Sequence, residues 1–448
     1  MTADVLPGHR LSERLYNQLI ERVALPVGDA LFRTELIGEL RRWRRIQHLP
    51  ADGLRRLQHD GLRSLLTHAT TAVPHYRDLQ LGTSPDPYEW LRRFPILTKS
   101  DLRTEGERML TPGSRRLVTV SSSGSSGLQS TLWSTPREIS RAQAIQTLWW
   151  EWAGYRLGDR LLQTGITPDR GLAKRLKDRV LRTTYIPAFG LTDAEMTEIL
   201  STGSARRWRH AGGYASSLDA FARVAIANPK LRVSFESAIS WGDKLYPQHR
   251  RHLQDAFGAP VLDTYGTAEG FMIAAQRFDG PYYVMSPHVV VELLDDRDEP
   301  VDPGEFGRVV VTRIDAHTMP MIRFRLGDLA VAPTHTSTTP GAPEFPQLER
   351  IIGRETDVWV SPGGRTLTVH TFTGVMEHFA DIEQFSVIPQ DAGLTLEYRA
   401  DDGLESAVLD RASAALCSAV GERLSISWRR VESIPDSPSG KPQIIRSR

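Results

Sequence analysis

The chain has 448 residues, of which 40% are hydrophobic and 24% are charged. This ordinary globular composition excludes a disordered chain, a bundle of membrane-spanning helices and a disulfide-stapled miniprotein. The 55 Lys and Arg residues balance 54 Asp and Glu residues, so no long-range field favours nucleic acid as a partner.

The first residues carry charges where a secretory signal would carry an apolar run. The single cysteine, Cys417, permits no internal disulfide. No window reaches the roughly 18 apolar residues that a transmembrane segment needs. We therefore expect a cytoplasmic protein with no transmembrane segment.

Hydrophobic spacing predicts helices in the first hundred residues, at Leu11–Val23, Leu31–Gln47 and Ala51–Ala69. From about residue 115 the pattern changes to short β-rich runs that alternate with helical stretches. The β-rich runs are Arg116–Val120, Pro260–Thr264, Val289–Leu294 and Gly307–Thr312, and the helical stretches include Ala142–Trp152 and Pro247–Phe257. This alternation predicts an α/β fold of mixed sheets and helices.

The last part of the chain has enough residues for a small α+β domain. It contains a helical pattern at Ser406–Val420 and strand patterns at Phe385–Pro389 and Leu394–Tyr398. We predict a large domain over residues 1–352 and a small one over residues 353–448. The stretch Arg350–Asp357 would be the connecting turn.

A loop of small residues follows a β-branched run in Val118-Thr-Val-Ser-Ser-Ser-Gly-Ser-Ser-Gly-Leu-Gln-Ser130. Glycines allow backbone N–H groups to approach an anion, and hydroxyls add donors without bulk. The loop therefore suits a polyphosphate, although a flexible surface loop has the same composition. It lacks the spacing of a P-loop nucleoside triphosphatase.

A second segment, Val261-Leu-Asp-Thr-Tyr-Gly-Thr-Ala-Glu-Gly270, places an aromatic ring, a glycine, a hydroxyl and a carboxylate at the end of a strand. These groups suit a purine, a phosphate and Mg²⁺. The alternative is a strand end with an ordinary turn.

Three further segments are weaker indications of a binding site. Asp328 follows a glycine turn, where it could bind a ribose diol or cap a local turn. Gly353-Arg-Glu-Thr-Asp357 and Ser437-Pro-Ser-Gly-Lys-Pro442 follow, and the second displays Lys441 after a glycine.

In this order and spacing, the five segments resemble the adenylate-forming superfamily of acyl-CoA synthetases, nonribosomal peptide adenylation domains and luciferases. The resemblance spans nearly the whole chain. Ala72-Val-Pro-His-Tyr-Arg77 and Phe94-Pro-Ile-Leu-Thr-Lys-Ser-Asp-Leu-Arg103 resemble the phenylacetate-CoA ligase branch, which includes relatives from capsular-polysaccharide gene clusters.

The resemblance implies a role for each matching residue. It implies a mobile phosphate loop for ATP at Ser122, Ser123, Gly124, Ser125, Ser126 and Gly127, and a purine-binding wall at Gly242, Asp243, Asp263, Tyr265 and Gly266. Thr267 would touch the α-phosphate, Glu269 would ligate Mg²⁺, and Asp328 would bind the ribose. Arg354 would be a second nucleotide contact, Asp357 the hinge of the small domain, and Lys441 the lysine that meets the substrate carboxylate and the α-phosphate.

The sequence departs from the family pattern at the phosphate loop. Relatives usually continue with Gly-Lys-Pro, whereas Leu128 and Gln129 stand at the matching positions. The missing lysine removes one phosphate-directed charge. Many relatives also carry cysteines after the Tyr-Gly segment, but Ala274-Ala-Gln-Arg277 has none, so we expect no structural zinc.

These observations lead to an ATP- and Mg²⁺-dependent, AMP-forming ligase that adenylates an aryl or small acyl carboxylic acid and transfers the acyl group to coenzyme A. Tyr214 is the candidate contact for the acid, although a tyrosine beside glycines is more often a core residue or a turn anchor. One alternative retains adenylation and transfers the acyl group to an amine, a sugar or another small acceptor. Another alternative is a nucleotide- or acyl-binding protein with no turnover.

Overall fold

The computed structural model describes residues 11–123, 129–166, 171–231, 233–267, 269–336, 341–354, 358–363, 366–368, 384–390, 393–400, 404–420 and 422–434, together with residues 372, 375, 376, 379, 381, 382, 445 and 446. Within these residues, no helix is both long enough and apolar enough to cross a membrane.

Helices form the N-terminal part. Helix α1 (Leu11–Leu19) continues through a π-helical turn, Ile20–Ala24, into α2 (Leu25–Phe32), and α3 (Leu36–Ile46) and α4 (Ala51–Ala72) follow. The predicted start of the second helix at Leu31 is wrong. Arg33 takes the left-handed conformation, with φ of 56°, and the Asp29 carboxylate accepts hydrogen bonds from the amides of Leu36 and Ile37. This acceptor caps a new helix.

Two short helices and a hairpin follow: α5 (Pro87–Leu91), α6 (Lys99–Glu105), and strands β1 (Val118–Ser123) and β2 (Gln129–Ser134), which pair antiparallel. Helix α6 begins with a capping box, in which Thr98 and Asp101 satisfy each other's backbone amides. Helix α6 contacts β2, the second strand of the hairpin.

The largest sheet has eight strands in the order β13-β9-β8-β7-β6-β5-β3-β4. Its parallel part is β3 (Leu161–Gly165), β4 (Thr183–Pro187), β5 (His210–Tyr214), β6 (Ser237–Trp241) and β7 (Val261–Gly266). Its antiparallel part is β8 (Met272–Gln276), β9 (Tyr282–Val284) and β13 (Gln347–Leu348).

Helices cover both faces of this sheet, as expected for parallel strands. They are α7 (Pro136–Trp152), α8 (Leu172–Val180), α9 (Asp193–Ser201), α10 (Gly203–Arg206), α11 (Ala215–Ala227) and α12 (Pro247–Phe257). Helices α3 and α7 share one buried cluster with the sheet, and α9, α11 and α12 share another.

A second sheet of four antiparallel strands contains β10 (Val289–Leu294), β11 (Phe306–Arg313), β12 (Phe324–Val331) and β14 (Arg350–Arg354). Arg350–Arg354 is therefore a strand, and the expectation that the connecting turn begins at residue 350 is wrong. Pairing with β12 explains the difference, because it gives this segment backbone partners from Val331 to Asp328. The predicted domain boundary between residues 352 and 353 stays a prediction.

The C-terminal residues contribute a hairpin, β15 (Val358–Val360) with β16 (Thr366–Thr368), and a three-stranded sheet. This sheet contains β17 (Gln384–Gln390), β18 (Gly393–Arg399) and β19 (Ser425–Arg430), with helix α13 (Ser406–Val420) between the last two strands. These elements share one hydrophobic cluster. The predicted α/β fold is confirmed.

Candidate active site

The parallel strands of the large sheet end close together. Strands β3, β5, β6 and β7 run in the same direction, so Gly165, Tyr214, Trp241 and Gly266 lie along one edge. In open α/β sheets, ligands bind in the crevice outside this edge. Three of the five sequence segments contribute side chains near this edge or in the second sheet beside it.

A hydrogen-bonded chain of three side chains joins the two sheets. The Tyr265 hydroxyl, at the end of β7, donates to Asp328 Oδ2 on β12 over 2.9 Å. Asp328 Oδ1 lies 3.2 Å from Arg354 Nε, and Arg354 Nη1 donates to the Leu326 carbonyl over 3.0 Å. Asp328 and Arg354 face each other directly across β12 and β14. The arrangement holds a nearly buried carboxylate between an aromatic hydroxyl and a guanidinium.

The Asp328 carboxylate retains capacity for a ligand. A carboxylate offers about four lone-pair positions, and the Tyr265 hydroxyl and Arg354 guanidinium engage one oxygen each. Burial raises the pKa of the Tyr265 hydroxyl well above its usual value, and the Asp328 charge raises it further. Tyr265 therefore acts as a donor to Asp328, which suits a site where Asp328 accepts bonds from a diol.

The turn after β7 carries an unsatisfied hydroxyl. Thr267 Oγ1 is buried and has no hydrogen-bond partner among the residues that the structure describes, although the Thr267 amide donates to the Phe271 carbonyl over 2.9 Å. The chain must pass close to itself here, because a Cβ at Gly266 would lie 2.7 Å from that same carbonyl oxygen. A buried hydroxyl without a partner is costly, so this donor suits a ligand atom.

Glu269 stands two residues further along this turn and is partly exposed. In the described part of the chain, no group of three or more His, Cys, Asp or Glu side chains could hold a metal ion. Mg²⁺ is commonly bound by one or two carboxylates with substrate phosphates and water completing its shell. Glu269 fits that single-carboxylate role.

Asp263, which was expected to contact the purine base, is buried in the core beneath the site. Its two carboxylate oxygens accept hydrogen bonds from the hydroxyls of Ser240 and Tyr282. Burial raises the pKa of Asp263 to about 6. Asp263 would have to contact the purine in addition to accepting these two hydrogen bonds. Its contact with the purine stays a prediction.

Asp243, also expected to border the purine, caps a helix. Its carboxylate accepts hydrogen bonds from the Ala215 amide over 2.5 Å, from the Ser216 amide over 3.2 Å and from the Ser216 hydroxyl. These are the first residues of α11, whose N-cap residue, Tyr214, supplies no side-chain acceptor. Asp243 therefore fixes the loop after β6 against the start of α11.

Tyr214 lies at the same edge, against the backbone of Gly242. A Cβ at Gly242 would lie 2.5 Å from Tyr214 Cε1, and Gly242 has a φ of 83°, so glycine is required on both counts. The Phe189 ring lies 5.3 Å from the Tyr214 ring, between centroids. Phe189 is 37% exposed. This aromatic pair forms an apolar wall beside the edge.

Several predicted site residues lie outside the described residues: Gly124, Ser125, Ser126 and Gly127 of the phosphate loop, the hinge residue Asp357 and the catalytic candidate Lys441. For Ser122 and Ser123 the structure describes the backbone, which pairs with Ser130 and Gln129 in the β1–β2 hairpin. The segment predicted to be the phosphate loop therefore follows one strand of this hairpin and precedes the other in sequence.

Sequence reasoning missed Lys99. It is the first residue of α6 and is partly buried. Burial lowers its pKa, the charge of Arg354 lowers it further, and the carboxylates of Glu269 and Asp328 raise it. The sequence feature that includes Lys99 is the Phe94–Arg103 segment. This segment supported the family resemblance, but no role was assigned to Lys99.

No protein-family model matches the chain. It is 28% identical over 360 residues to a phenylacetate-coenzyme A ligase from Pseudomonas putida, covering 75% of this chain and 77% of that enzyme. It is 20% identical over 361 residues to Protein CapK from Staphylococcus aureus, covering 78% of this chain and 79% of CapK.

Among solved structures, the fold is similar to 2-hydroxyisobutyryl-CoA ligase in the postadenylation state in complex with R3-HIB-AMP. The TM-score is 0.72 at 18% sequence identity, and the match covers 89% of this chain and 90% of that chain. At this identity the likeness shows the fold alone. The sequence relatives span most of the same length. Together, the relatives and the fold confirm the resemblance of this chain to the phenylacetate-CoA ligase-like branch of the adenylate-forming superfamily.

Proposed function

We propose that this chain is an ATP-dependent ligase that activates a carboxylic acid as an acyl-adenylate and transfers the acyl group to coenzyme A. The observation that carries the proposal is the Tyr265–Asp328–Arg354 link, which holds a carboxylate beside the carboxyl edge of the large sheet. The Thr267 hydroxyl on the adjoining turn, which is buried and has no partner among the described residues, supports it. The names of the relatives supply the class of reaction.

Each side chain of the site has a task in adenylation. Asp328 accepts hydrogen bonds from the ribose hydroxyls, and the Thr267 hydroxyl donates to an oxygen of the α-phosphate. The substrate carboxylate attacks the α-phosphorus, and pyrophosphate leaves. Two anions approach each other in this step, so cationic groups must offset the developing charge. Lys441 would supply an ammonium there, and Glu269 would hold a Mg²⁺ ion, which would supply further positive charge to the phosphates.

The second half-reaction consumes the adenylate. The thiol of coenzyme A releases its proton to solvent, its sulfur attacks the acyl carbonyl carbon, the bond to the phosphate oxygen breaks, and AMP leaves with that oxygen. Lys441 has no task in this step, and rotation of the C-terminal part about Asp357 would remove it and admit the thiol. Asp328 continues to hold the ribose throughout.

The Tyr214–Phe189 pair supports an apolar or aromatic acid as the substrate. Both rings lie at the carboxyl edge of the sheet, and Gly242 leaves room for the Tyr214 ring. Burial raises the pKa of the Tyr214 hydroxyl, so this side chain presents a neutral surface. An uncharged carbon chain packs favourably against such a wall.

Pyrophosphate release tests the proposal. The chain is mixed with ATP, Mg²⁺ and a panel of aryl and aliphatic acids, and release with at least one acid is expected. Absence of release with every acid would contradict the proposal and favour the non-catalytic binding protein. Coenzyme A is then added, followed by amines and sugars in separate reactions. Consumption of the adenylate only by an amine or a sugar would contradict coenzyme A as the acceptor.

Glu269→Gln tests the metal role separately. The variant keeps the size of the side chain and removes its charge, so the Mg²⁺ concentration that half-saturates pyrophosphate release should rise about tenfold or more. An unchanged Mg²⁺ titration would remove Glu269 from the metal site.

A further inference from the structure

The N-terminal helices carry a row of exposed apolar side chains. The chain is helical from the start of α1 to the end of α2, because the π turn between them has right-handed helical residues on both sides. Every fourth residue of this helix is apolar and exposed: Leu11, Leu15, Leu19, Val23, Val27 and Leu31. Four residues exceed a 3.6-residue turn by about 40°, and the wider π turn offsets part of this drift. We call these six residues the apolar ridge.

Contacts on the opposite face of α1 turn the ridge outward. The Asn17 side-chain amide donates to Asp159 Oδ1 over 2.8 Å. The Tyr16 hydroxyl donates to the Val180 carbonyl over 2.8 Å. Ile20, which lies on the same helix face as these two residues, is buried. Single exposed apolar residues are normal on a protein surface, whereas a contiguous exposed row marks an interaction site.

Helix α8 adds a second apolar pair and a cluster of cations beside α1. It ends at Val180, which accepts the Tyr16 bond, and Arg182 Cζ lies 3.4 Å from the centroid of the Tyr16 ring. Leu172 and Leu176 are 84% and 65% exposed. The helix also carries four cations and one acid, namely Lys174, Arg175, Lys177, Arg179 and Asp178. Exposed leucines among cations are typical of a helix that lies in a membrane interface.

The charged residues of the ridge helix are separated by sign. Its acids contact other parts of the protein: Glu21 pairs with Arg44, and Glu13 lies 3.9 Å from Arg209. The third acid, Asp29, accepts hydrogen bonds from the first amides of α3. The bases are exposed, and they are Arg14, Arg22 and Arg33. Cations therefore predominate at the surface beside the ridge.

We propose that the apolar ridge and α8 form a surface that binds anionic lipid bilayers. The leucines and valines enter the boundary between headgroups and acyl chains, and the cations of α8 contact the anionic headgroups. A second copy of the chain fits this surface less well. In a twofold dimer the same patch meets itself, so the cations of two α8 helices would face each other. The inference is independent of the proposed function, because it involves neither the nucleotide nor the acid.

Vesicle flotation of the full chain tests the surface without any nucleotide. The vesicles contain phosphatidylcholine alone or phosphatidylcholine with phosphatidylserine. The parent should bind the anionic vesicles about tenfold or more tightly than the neutral ones, and added NaCl should weaken this binding because salt screens the cations.

Two double variants separate the apolar and the charged contributions. Leu15→Ala with Leu19→Ala shortens two ridge side chains and should lower the partition coefficient on anionic vesicles about tenfold or more. Lys174→Gln with Arg175→Gln removes two charges from α8 and should lower it about tenfold or more. The four residues are exposed, so the urea midpoint of each variant should match that of the parent.

Matched controls change the same residue types elsewhere on the surface. Leu57→Ala with Ile226→Ala shortens two exposed apolar side chains outside the ridge. Arg297→Gln with Arg411→Gln removes two exposed cations outside α8. Both controls should bind the vesicles as the parent does.

Three results would overturn the proposal: no flotation of the parent with anionic vesicles, equal binding to neutral and anionic vesicles, or unchanged binding in either test variant. Sedimentation velocity without lipid tests the other occupant. A dimer that Leu15→Ala with Leu19→Ala converts to a monomer, together with no flotation, would assign the ridge to a second copy. Pyrophosphate release is measured without vesicles, so a failure of this inference and a failure of the proposed function are distinguishable.

Discussion

Replacing Thr267 by Val should change stability and nucleotide binding in opposite directions. Thr267 Oγ1 is buried without a partner among the described residues, and a buried unsatisfied polar group costs about 1–3 kcal/mol. Valine has nearly the same shape and no hydroxyl. The free energy of unfolding of the ligand-free protein should therefore rise by about 1–3 kcal/mol in Thr267→Val.

The same substitution should weaken binding of ATP and AMP. A hydrogen bond to a charged phosphate contributes about 1.5–3 kcal/mol, which corresponds to a loss of affinity of about tenfold to a hundredfold. Thr264, three residues earlier and on strand β7, provides the matched control. Its hydroxyl donates to the Ser240 carbonyl over 2.8 Å, so Thr264→Val should lose about 1 kcal/mol of stability and bind nucleotide normally.

Urea unfolding of the ligand-free proteins and calorimetric titration with ATP and AMP measure the two effects. A less stable Thr267→Val protein would show that the hydroxyl is satisfied within the folded chain. Unchanged affinity for both nucleotides would show that it faces no ligand. Either result would refute the reasoning.

Three further predictions concern the same region. Asp263 has its pKa raised from 3.8 to about 6 by burial, so the unfolded chain loses this proton first as the pH rises. The stability from protonated Asp263 is present below about pH 4 and is lost by about pH 6, a decrease of about 3 kcal/mol. Urea unfolding across this range should show the decrease in the parent and not in Asp263→Asn; parallel curves would contradict it. Tyr265→Phe removes the bond to Asp328 and should lower the free energy of unfolding by about 1.5–3 kcal/mol, which denaturant titration checks; a change below about 0.5 kcal/mol would contradict it. Lys441→Ala should abolish pyrophosphate release, while a preformed acyl-adenylate is still consumed with coenzyme A; release at the parental rate would remove Lys441 from the adenylation step.

Local patterns predicted several elements with their observed bounds. The helix Pro247–Phe257 and the strand Val289–Leu294 have their predicted bounds. The break at Arg33 was missed, because it depends on a side chain, Asp29, that caps a helix several residues away. The strand Arg350–Arg354 was taken for a turn, since its partner β12 is distant in sequence.

The candidate site was predictable as a set of residues and not as a geometry. The Tyr265–Asp328 bond joins residues 63 positions apart on two different sheets, and no periodicity encodes such a pairing. The roles of Asp243 and Asp263 could not be predicted either. The sequence does not distinguish an aspartate that caps a helix or accepts hydrogen bonds from core hydroxyls from one that binds a ligand. Lys99 was missed because the charges that act on it, those of Arg354, Glu269 and Asp328, belong to distant segments.

The pairing of β14 with β12 constrains which contacts can move during a reaction cycle. Arg354 is the last residue of a strand whose backbone is hydrogen-bonded within the four-stranded sheet. A swing of the residues that follow would thus leave Arg354 and the Asp328 that it contacts in place. The protein would then hold the ribose of a bound nucleotide through the same residues before and after the swing. Only residues beyond 354 would change position relative to the reacting carbon.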